Sequence, residues 1–352
     1  MKKLEAESAE QQKELRTLQA RLSGAEEAVT GDGLWFARPL VPPENYGHRL
    51  AASIPIITVA NLKGGVGKTT LTAHLTRFYA SKGKRVLAID LDYQGSLSAL
   101  VSESNRLLSR VSRFVVGDGS GQDVLEATQP LENSPGDAGI LTAFYELARI
   151  ENQAMVHWLT QREQRDVRYF IADVLLSEPV QTGYDIILID AAPRITTSTV
   201  QALCASKHVL IPTKLDGVSA DAVGYFARQL IIMKKLWPYL EIAGVVGTMT
   251  EKNVGSLTNE LYDIERLVDF EAQAVLRVEE HLARAFEEAA MPKPASPIFP
   301  YTTFVPEKRD IARLANDGFG DQVKISLNSQ SQIQAIFERL GQELAIRIGL
   351  HL

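Results

Sequence analysis

Residues 61–70 read NLKGGVGKTT, a glycine-rich stretch between an apolar run and a segment with helical spacing. Backbone N–H groups and the helix dipole converge at the N-terminus of a helix, so such a turn can bind phosphate. Lys68 would neutralise the phosphate charge, and the hydroxyl of Thr69 would ligate Mg²⁺. The glycines that would let the backbone wrap closely around phosphate oxygens are Gly64, Gly65 and Gly67.

Two positions of this loop need an explanation. Leu62 stands where the standard pattern G-x-x-x-x-G-K-[ST] has its first glycine, and a second lysine, Lys63, lies upstream of Lys68. A glycine-rich turn that binds nothing is the alternative interpretation. The strand expected before the loop and the helix expected after it disfavour that alternative.

Three aspartates follow apolar runs elsewhere in the chain. The run VLAIDLD contains Asp90 and Asp92, and IILID ends at Asp190. In an open α/β sheet the ligand lies beyond the carboxyl ends of the strands, so we expect these carboxylates beside the 61–70 loop. Mg²⁺ with a triphosphate needs hard oxygen ligands, and hydrolysis needs a group that orients water. A single aspartate at a strand end is usually a turn or helix cap, but three at one edge favour a functional site.

The elements that must position these residues alternate along the chain. Short apolar runs rich in β-branched residues predict buried strands, and the segments between them predict helices. The expected strands are 54–60, 84–92, 185–193, 208–214 and 241–250, with helices at 69–83 and 219–237. This order predicts an α/β fold with a mostly parallel, doubly wound sheet and helices on both faces.

The N-terminal part of the chain differs from this pattern. Residues 1–29 predict a helical or short coiled-coil extension, with Leu15 among the leucines of a heptad seam and a solvated helix as the alternative. Residues 30–53 contain glycines and prolines and predict a linker in which Trp35 and Phe36 dock on the following domain. Residues 54–352 are expected to form one domain.

Composition limits the classes of protein and their location. The chain has 352 residues, 45% of them hydrophobic, enough for a sizeable core. Its single cysteine, Cys204, excludes an internal disulfide and a cysteine-bound cluster within one chain. We expect no membrane span and no signal peptide, and a cytoplasmic location. The net charge of −6 disfavours a protein coated with nucleic acid but allows a local basic patch.

The segments KGGVGKTT, DLDYQGS and IDAAP, in this order, resemble the ParA/MinD family of deviant Walker A P-loop ATPases. The resemblance is closest to the ParA, Soj-like branch and runs from about residue 54 to residue 344. It departs from the family at Tyr93, where a proline is usual, and at Ala192, where many relatives have the first of two prolines. Leu62 falls where relatives carry Gln or Gly, so the family tolerates the missing glycine.

The resemblance implies ATP and Mg²⁺ as cofactors and a weak, partner-stimulated ATPase. It implies that Asp90 and Asp190 support the Mg²⁺ shell, that Asp92 positions the hydrolytic water, and that Pro300 lies against adenine. The remaining nucleotide contacts that it implies come from the loop: Lys63, Gly64, Gly65, Val66, Gly67, Lys68, Thr69 and Thr70. Lys63 matches the signature lysine that reaches the nucleotide of a second subunit.

The lysine pair fits this assignment. Lys68 is sufficient for the phosphates of one subunit, and a second lysine from the same loop would crowd it with like charge. Pointing Lys63 toward a partner's triphosphate resolves the crowding and predicts a homodimer with two ATP molecules between its subunits. Loss of the γ-phosphate would then weaken the dimer. A second lysine in the loop therefore indicates that the site is completed in trans.

Several functions share this chemistry. The first is positioning or segregation of a cargo, with non-specific DNA binding and nucleoid association; its basic candidates are Lys234, Lys235, Lys308, Arg309 and Arg313. Residues 248–260 contain no arginine, which weakens the DNA interpretation. A MinD-like membrane cycle would need an exposed helix at 331–348, whose apolar stripe instead favours core packing. An N-terminal helix that docks a partner protein, and an amidotransferase-type synthetase, remain as alternatives.

Overall fold

The computed structural model describes residues 10–17, 19–20, 23–24, 33–101, 108–131, 133–251, 269–292, 294, 296–317 and 327–352. Within these ranges one sheet carries the strands β1 Ile56–Val59, β2 Val86–Leu91, β3 Gln129–Pro130, β4 Ala138–Leu141, β5 Ile186–Ala191, β6 His208–Lys214, β7 Glu241–Thr250 and β8 Val305–Pro306. Their spatial order is β3-β4-β2-β5-β1-β6-β7-β8. Neighbouring strands run parallel, except that β3 and β4 are antiparallel.

Most of the helices connect one strand to the next along the chain. In chain order they are α1 Tyr46–Ala52, α2 Lys68–Ser81, α3 Ser96–Val101, α4 Ser112–Val115, α5 Gly121–Ala127, α6 Glu146–Leu159, α7 Phe170–Leu175, α8 Glu178–Gly183, α9 Thr197–Ala205, α10 Gly217–Ile232, α11 Asp269–Glu288, α12 Arg309–Asp317 and α13 Leu327–Ile348. Short 3₁₀ turns occur at Leu34–Phe36, Val167–Tyr169 and Tyr301–Thr303.

The central strands have no exposed face. Every residue of β1, β2 and β5 is buried, without the alternation of a sheet that has one wet side. Helices therefore cover both faces of the sheet. The prediction of a mostly parallel α/β sheet is confirmed, and β1, β2, β5, β6 and β7 fall within the five predicted runs.

The C-terminal helix α13 packs into the core. Its apolar stripe is buried, with Ile333, Leu340 and Leu344 at 0% exposure and Phe337 at 2%. The core-packing interpretation of residues 331–348 is thus confirmed, and the stripe that a membrane cycle would need lies inside the protein. No helix in the described ranges is both long and apolar enough to cross a membrane.

The segment predicted as a linker is fastened to the domain. The buried guanidinium of Arg168 pairs with Asp166 and donates to the carbonyl oxygens of Trp35 and Pro39. The Asp166 carboxylate also accepts from the backbone N–H of Val41 at 2.9 Å. Trp35 is buried, as predicted, whereas Phe36 is 42% exposed. These hydrogen bonds therefore attach the segment 33–53 to the domain.

Helix α1 continues this attachment. The hydroxyl of Tyr46 donates to the carbonyl oxygen of Cys204, and Arg49 pairs with Asp173 at 3.0 Å. Farther upstream, residues 10–17, 19–20 and 23–24 are helical and exposed. Leu15 is 56% exposed, and much of the predicted heptad seam lies outside the described residues. The coiled coil therefore stays a prediction.

Candidate functional site

The glycine-rich loop connects β1 to α2. Gly65 and Gly67 have φ angles of +69° and +82°, a left-handed conformation that favours glycine. Helix α2 begins at Lys68, directly after Gly67, and no side chain caps its N-terminus. The first N–H groups of the helix are therefore available to an anion at the place predicted.

Side chains from the neighbouring strands hold this loop in place. Asn61 donates through Nδ2 to the carbonyl oxygen of Pro212 at 2.8 Å and accepts from the backbone N–H of Lys63 at 3.0 Å. The hydroxyl of Thr248 donates to the carbonyl oxygen of Val66 at 2.9 Å. The loop is thus held by hydrogen bonds to β6 and β7, which lie next to each other on one side of β1, without help from a glycine at position 62.

The two lysines of the loop have different partners. Lys68 is 7% exposed, and its Nζ lies 3.2 Å from the carbonyl oxygen of Lys63. Burial lowers the pKa of Lys68, and the nearby charges of Asp190 and Asp92 oppose this shift. The ammonium group of Lys68 therefore sits in a partly desolvated pocket with carboxylates near it.

Lys63 instead reaches the start of α10. Its Nζ donates to the hydroxyl of Ser219 at 2.6 Å and lies 3.4 Å from Oδ1 of Asp216. Asp216 is the N-cap of α10 and accepts from the backbone N–H of Ser219 at 2.8 Å. Sequence reasoning missed both partners because they lie far along the chain, Asp216 as the N-cap of α10 and Ser219 in its first turn. The ammonium groups of Lys63 and Lys68 thus lie in different surroundings.

The carboxylates meet beside the loop as predicted. Asp90 and Asp190 are direct register partners on β2 and β5, and both are buried. The hydroxyl of Thr69 donates to Oδ2 of Asp190 at 2.7 Å. Asp90 accepts from the backbone N–H of Asp92 at 3.0 Å and, through Oδ2, from the N–H and hydroxyl of Ser98 at 2.9 and 2.8 Å. The structure brings Thr69, Asp90 and Asp190 together, and adds Ser98, which no sequence signal had singled out.

Burial controls the charge of these acids. It raises the pKa of Asp90 to about 7, against the hydrogen bonds from Ser98 and Asp92. It also raises the pKa of Asp190 well above 3.8, and the neighbouring charge of Asp90 adds to this shift. Two buried carboxylates side by side are costly to ionise together unless a cation joins them.

A cation would fit this arrangement. Oδ1 of Asp190 is buried and, among the described residues, has no hydrogen-bond partner. No group of three His, Cys, Asp or Glu side chains in the described ranges could hold a metal ion by itself. Mg²⁺ at phosphate sites commonly uses one or two carboxylates and takes its other ligands from phosphate and water. The hydroxyl of Thr69 and the Asp190 carboxylate therefore match the donor set of such a site.

Replacing Asp190 by asparagine is expected to raise the melting temperature of the metal-free protein at pH 8, by about 2 °C. The folded pKa of Asp190 lies above its unfolded value, so the stability that its proton contributes is complete below that unfolded value and is lost as pH rises through the folded pKa. The gain from Asp190→Asn should therefore shrink as the pH falls toward 4. Differential scanning calorimetry in EDTA measures it.

Asp185→Asn is the matched control for that measurement. Its hydrogen bonds from Arg85 lower the pKa of Asp185, so this carboxylate stabilises the fold when it is ionised. Asp185→Asn should lower the melting temperature at pH 8. A lower melting temperature for Asp190→Asn at that pH would contradict the account of the buried pair.

Asp92 lies on the loop that follows β2. Its Oδ1 accepts from the backbone N–H of Gln94 at 3.0 Å, and its carbonyl oxygen accepts from the N–H of Gly95 at 2.8 Å. The side chain of Asp92 is half-buried at the same edge of the sheet as Lys68. Asp92 therefore stands within the group of residues that the sequence predicted, on a tight turn rather than on a strand.

A cavity of about 230 Å³ opens beside the loop, between α2 and the chain around β8. Its lining is Gly67, Thr70, Leu71, Thr248, Met249, Val305, Pro306, Glu307, Lys308, Arg309, Ile311 and Ala312. Pro300, the predicted adenine contact, is not in this lining; it is buried and precedes the 3₁₀ turn Tyr301–Thr303. Pro306 of the VPEKRD segment lines this cavity, and its strand β8 pairs with β7.

Comparisons with known proteins agree with this geometry. A family model described as an AAA domain matches residues 54–242, more than half of the chain. The chromosome-partitioning ATPase Soj of Thermus thermophilus is 30% identical over 205 residues, which are 57% of this chain and 71% of that protein. A relative from Sinorhizobium fredii is 35% identical over 227 residues, and this chain spans about half of its length, 51%.

The fold has counterparts among solved structures. An ATP complex of a McdA variant from Cyanothece superposes with a TM-score of 0.63 at 17% identity, covering 85% of this chain and 98% of the other. At this identity the likeness concerns the fold, whereas the family model and the Soj relative concern the sequence. This chain belongs to the ParA/MinD family of deviant Walker A P-loop ATPases, in its Soj-like branch.

Proposed function

We propose that the protein is an ATP-binding and ATP-hydrolysing switch that dimerises around its nucleotides and positions or segregates a cargo, in DNA partitioning. The observation that carries this proposal is the divergence of the loop's lysines, since Lys68 lies near Asp190 and Asp92 while Lys63 is held at the start of α10. The name of the Thermus thermophilus relative supports both ATP hydrolysis and chromosome partitioning. The cytoplasm is the proposed location, with the nucleoid added if DNA is bound.

Within one subunit, the loop and Lys68 would bind the triphosphate. The uncapped N–H groups of α2 donate to phosphate oxygens, and the ammonium group of Lys68 offsets their charge. The cavity beside the loop would take the base, with Pro306 rather than Pro300 against adenine. This assignment makes Gly67 a shared wall of the phosphate site and the base site.

Thr69 and Asp190 would hold Mg²⁺, with Asp90 behind them. When bound, Mg²⁺ neutralises charge on the phosphate oxygens. Asp90, held by Ser98, fixes the turn that carries Asp92 through the hydrogen bond from the Asp92 N–H. Asp92 would orient the attacking water as a hydrogen-bond acceptor. The chain's own contribution is therefore to hold these oxygens in register before ATP arrives.

Lys63 would act in trans. In the structure its ammonium group is held by Ser219 and Asp216. Because that pair is half-exposed, its contribution is small, and the triphosphate of a facing subunit is the stronger partner. Exchange of Asp216 for the partner's phosphate would couple nucleotide binding to dimer formation. Removal of the γ-phosphate by hydrolysis would reverse it.

Asp92→Ala is expected to bind ATP and accumulate as the ATP-bound dimer, because water loses its acceptor while the phosphate contacts remain. Hydrolysis should fall by about a hundredfold or more, the size of a typical general acid–base contribution. Light scattering with ATP, together with phosphate release, measures both effects. Asp118→Ala, an exposed carboxylate away from the site, is the control and should match the wild type. An Asp92→Ala protein that stays monomeric with ATP would contradict the role assigned to Asp92.

DNA is the proposed cargo or track, and one cluster favours it. Lys308, Arg309 and Arg313 lie at the start of α12, on the wall of the base cavity and beside it, and both arginines are exposed. Lys234 is a poorer candidate because it is half-buried and donates to the carbonyl oxygen of Leu240. Residues 252–260 lie outside the described ranges. The proposed DNA surface is therefore the one formed by Lys308, Arg309 and Arg313.

Salt dependence tests the DNA assignment. If these three residues contact phosphates, the log–log slope of affinity against salt is roughly −2.7, or about fortyfold weaker binding from 50 to 200 mM salt. Binding of the ATP-trapped Asp92→Ala dimer to a random duplex should show this slope, and Arg309→Ala should reduce it. A flat response would remove DNA and favour the alternative, a partner protein docked by the N-terminal helix. That alternative keeps the proposed division of the chain into 1–29, 30–53 and 54–352.

A further inference from the structure

The side chain of Tyr93 bridges three neighbouring loops at the site edge of the sheet. Strands β4, β2 and β5 are adjacent in that order, so the loops that follow them are adjacent too. Tyr93 lies on the middle loop, next to Asp92, while Tyr145 stands on the loop after β4 and Arg194 on the loop after β5. A contact from Tyr93 to each neighbour would therefore join all three.

Both contacts are present. The guanidinium carbon of Arg194 lies 5.3 Å from the centre of the Tyr93 ring, within the range of a cation–π interaction. The rings of Tyr93 and Tyr145 are 6.4 Å apart and tilted by 53°. Tyr93 is partly buried against the main core, whereas Tyr145 is 69% exposed. Of the two neighbours, Arg194 is the closer partner.

The side chain of Arg194 has few other polar contacts in the described part of the structure. Its side chain is exposed, and among the described residues it forms no ion pair and donates no hydrogen bond. Holding the side chain of a loop arginine in one place costs conformational entropy, so a contact must offset that cost. Among the described residues, the contact with the Tyr93 ring is therefore the one that orients the Arg194 side chain. This contact links the Asp92 loop to the Asp190 loop.

The hydrogen bond from the Asp92 N–H to Asp90 restrains the start of the Asp92 loop, but the next residue, Tyr93, needs a restraint of its own. The family's usual proline would restrain the backbone at this position, and Tyr93 does not. Farther along the turn, Gly95 has a φ angle of +63° and packs so closely that a Cβ would lie 2.6 Å from the carbonyl oxygen of Ala143. One end of the turn is thus pinned against the loop after β4. The end that carries Asp92 is held toward β5 through Tyr93.

We propose that Arg194 is a positioning residue for Asp92, acting through Tyr93 as a latch between the loops that follow β2 and β5. Side-chain stacking replaces the restraint that proline gives other members of the family. Because the loop after β5 also follows Asp190, the latch keeps the water-orienting acid in register with the acid that faces the metal. The inference rests on the proposed function of Asp92.

Steady-state hydrolysis by the full chain is the first test. Arg194→Ala should lower kcat about threefold to fivefold, the size of an exposed cation–π contact, and leave KM for ATP within about twofold. Arg194→Lys and Tyr93→Phe retain a cation and a ring face, so both should stay within about twofold of the wild type. Arg149→Ala, an exposed arginine on α6, is the matched control and should be unchanged.

Non-additivity separates a latch from two independent effects. Tyr93→Ala combined with Arg194→Ala should lose no more activity than the more harmful single change. Losses that multiply, a Tyr93→Phe variant as slow as Tyr93→Ala, or a rise in KM with unchanged kcat would each overturn the proposal.

Amide hydrogen exchange gives a readout that needs no ATPase activity. The N–H groups of Gln94 and Gly95 are hydrogen-bonded to Asp92, so their exchange reports opening of this turn. In nucleotide-free protein, Arg194→Ala should speed their exchange about threefold to fivefold, and Arg149→Ala should not. Unchanged exchange would overturn the latch. A wild type without hydrolysis but with this faster exchange in Arg194→Ala would contradict only the proposed function.

Discussion

Lys68→Ala is expected to abolish ATP binding, with a loss of affinity of at least about a hundredfold. The ammonium group of Lys68 is 7% exposed and stands near Asp190 and Asp92. Removing it leaves the phosphates facing carboxylates without a counter-charge. One unit charge at about 4 Å in a partly buried site is worth about 4 kcal/mol, more than a hundredfold in affinity.

Titration with a fluorescent ATP analogue in Mg²⁺ measures this effect. Lys82→Ala is the matched control, since Lys82 is the C-cap of the same helix α2 and pairs with Glu338 at the surface. Lys82→Ala should bind ATP within about twofold of the wild type. Burial disfavours the charge of Lys68 in the empty site, so Lys68→Ala should melt no lower than the wild type, which separates lost binding from lost folding. Affinity within about threefold of the wild type would remove Lys68 from the phosphate site.

Lys63→Ala is expected to have the opposite profile. ATP binding to the monomer should stay within about threefold, because Lys63 is occupied by Ser219 and Asp216 rather than by the phosphate pocket. ATP-dependent dimers should be lost and hydrolysis should fall at least about a hundredfold, since a cation supplied in trans to a γ-phosphate is worth 10³–10⁵ in known cases. Retained hydrolysis would show that the site is complete in one subunit.

Mixing the two variants tests where the lysine acts. A Lys63→Ala subunit binds ATP but lacks the lysine to offer, whereas a Lys68→Ala subunit keeps Lys63 and lacks nucleotide. A mixed dimer has one complete site, so the mixture should hydrolyse ATP well above the sum of the two separate proteins. A mixture no more active than that sum would contradict a contribution in trans. A mixture of Lys82→Ala with Lys63→Ala is the control for the effect of forming mixed dimers, because Lys82→Ala keeps both loop lysines.

Much of the site was predictable because strand ends and their carboxylates share one edge. Asp90 and Asp190 each end a continuous apolar run, and parallel register then makes them neighbours. The glycines before Lys68 likewise indicate a turn with left-handed backbone angles. These inferences needed only local sequence and the rule that parallel strands align.

Features that depend on distant pairing were not predictable. Strand β4, Ala138–Leu141, is short and contains a glycine, so its apolar character did not stand out. Strand β8 contains a proline, Pro306, and pairs with β7 across a register shift, so the sequence did not predict that Pro306 lies beside the loop. The fastening of residues 33–53 by Arg168 likewise depends on a buried guanidinium far along the chain.

The same limit applies to the surroundings of Lys63. The sequence predicts that Lys63 reaches the nucleotide of a second subunit, but it does not indicate which residues hold Lys63 within its own subunit. Ser219 and Asp216 became candidates only when the turn between β6 and α10 was folded beside the loop. The sequence also left open what restrains Tyr93 in place of the family's usual proline. In the structure, the guanidinium group of Arg194 lies over the Tyr93 ring.

The mass of the protein in solution with ATP tests the central claim most directly. Multi-angle light scattering of the wild type, with saturating ATP and Mg²⁺, should give twice the protomer mass of 38.8 kDa. Lys63→Ala under the same conditions should give the protomer mass while ATP is bound. A dimer of Lys63→Ala with ATP, equal in amount to that of the wild type, would contradict completion of the site by a second subunit.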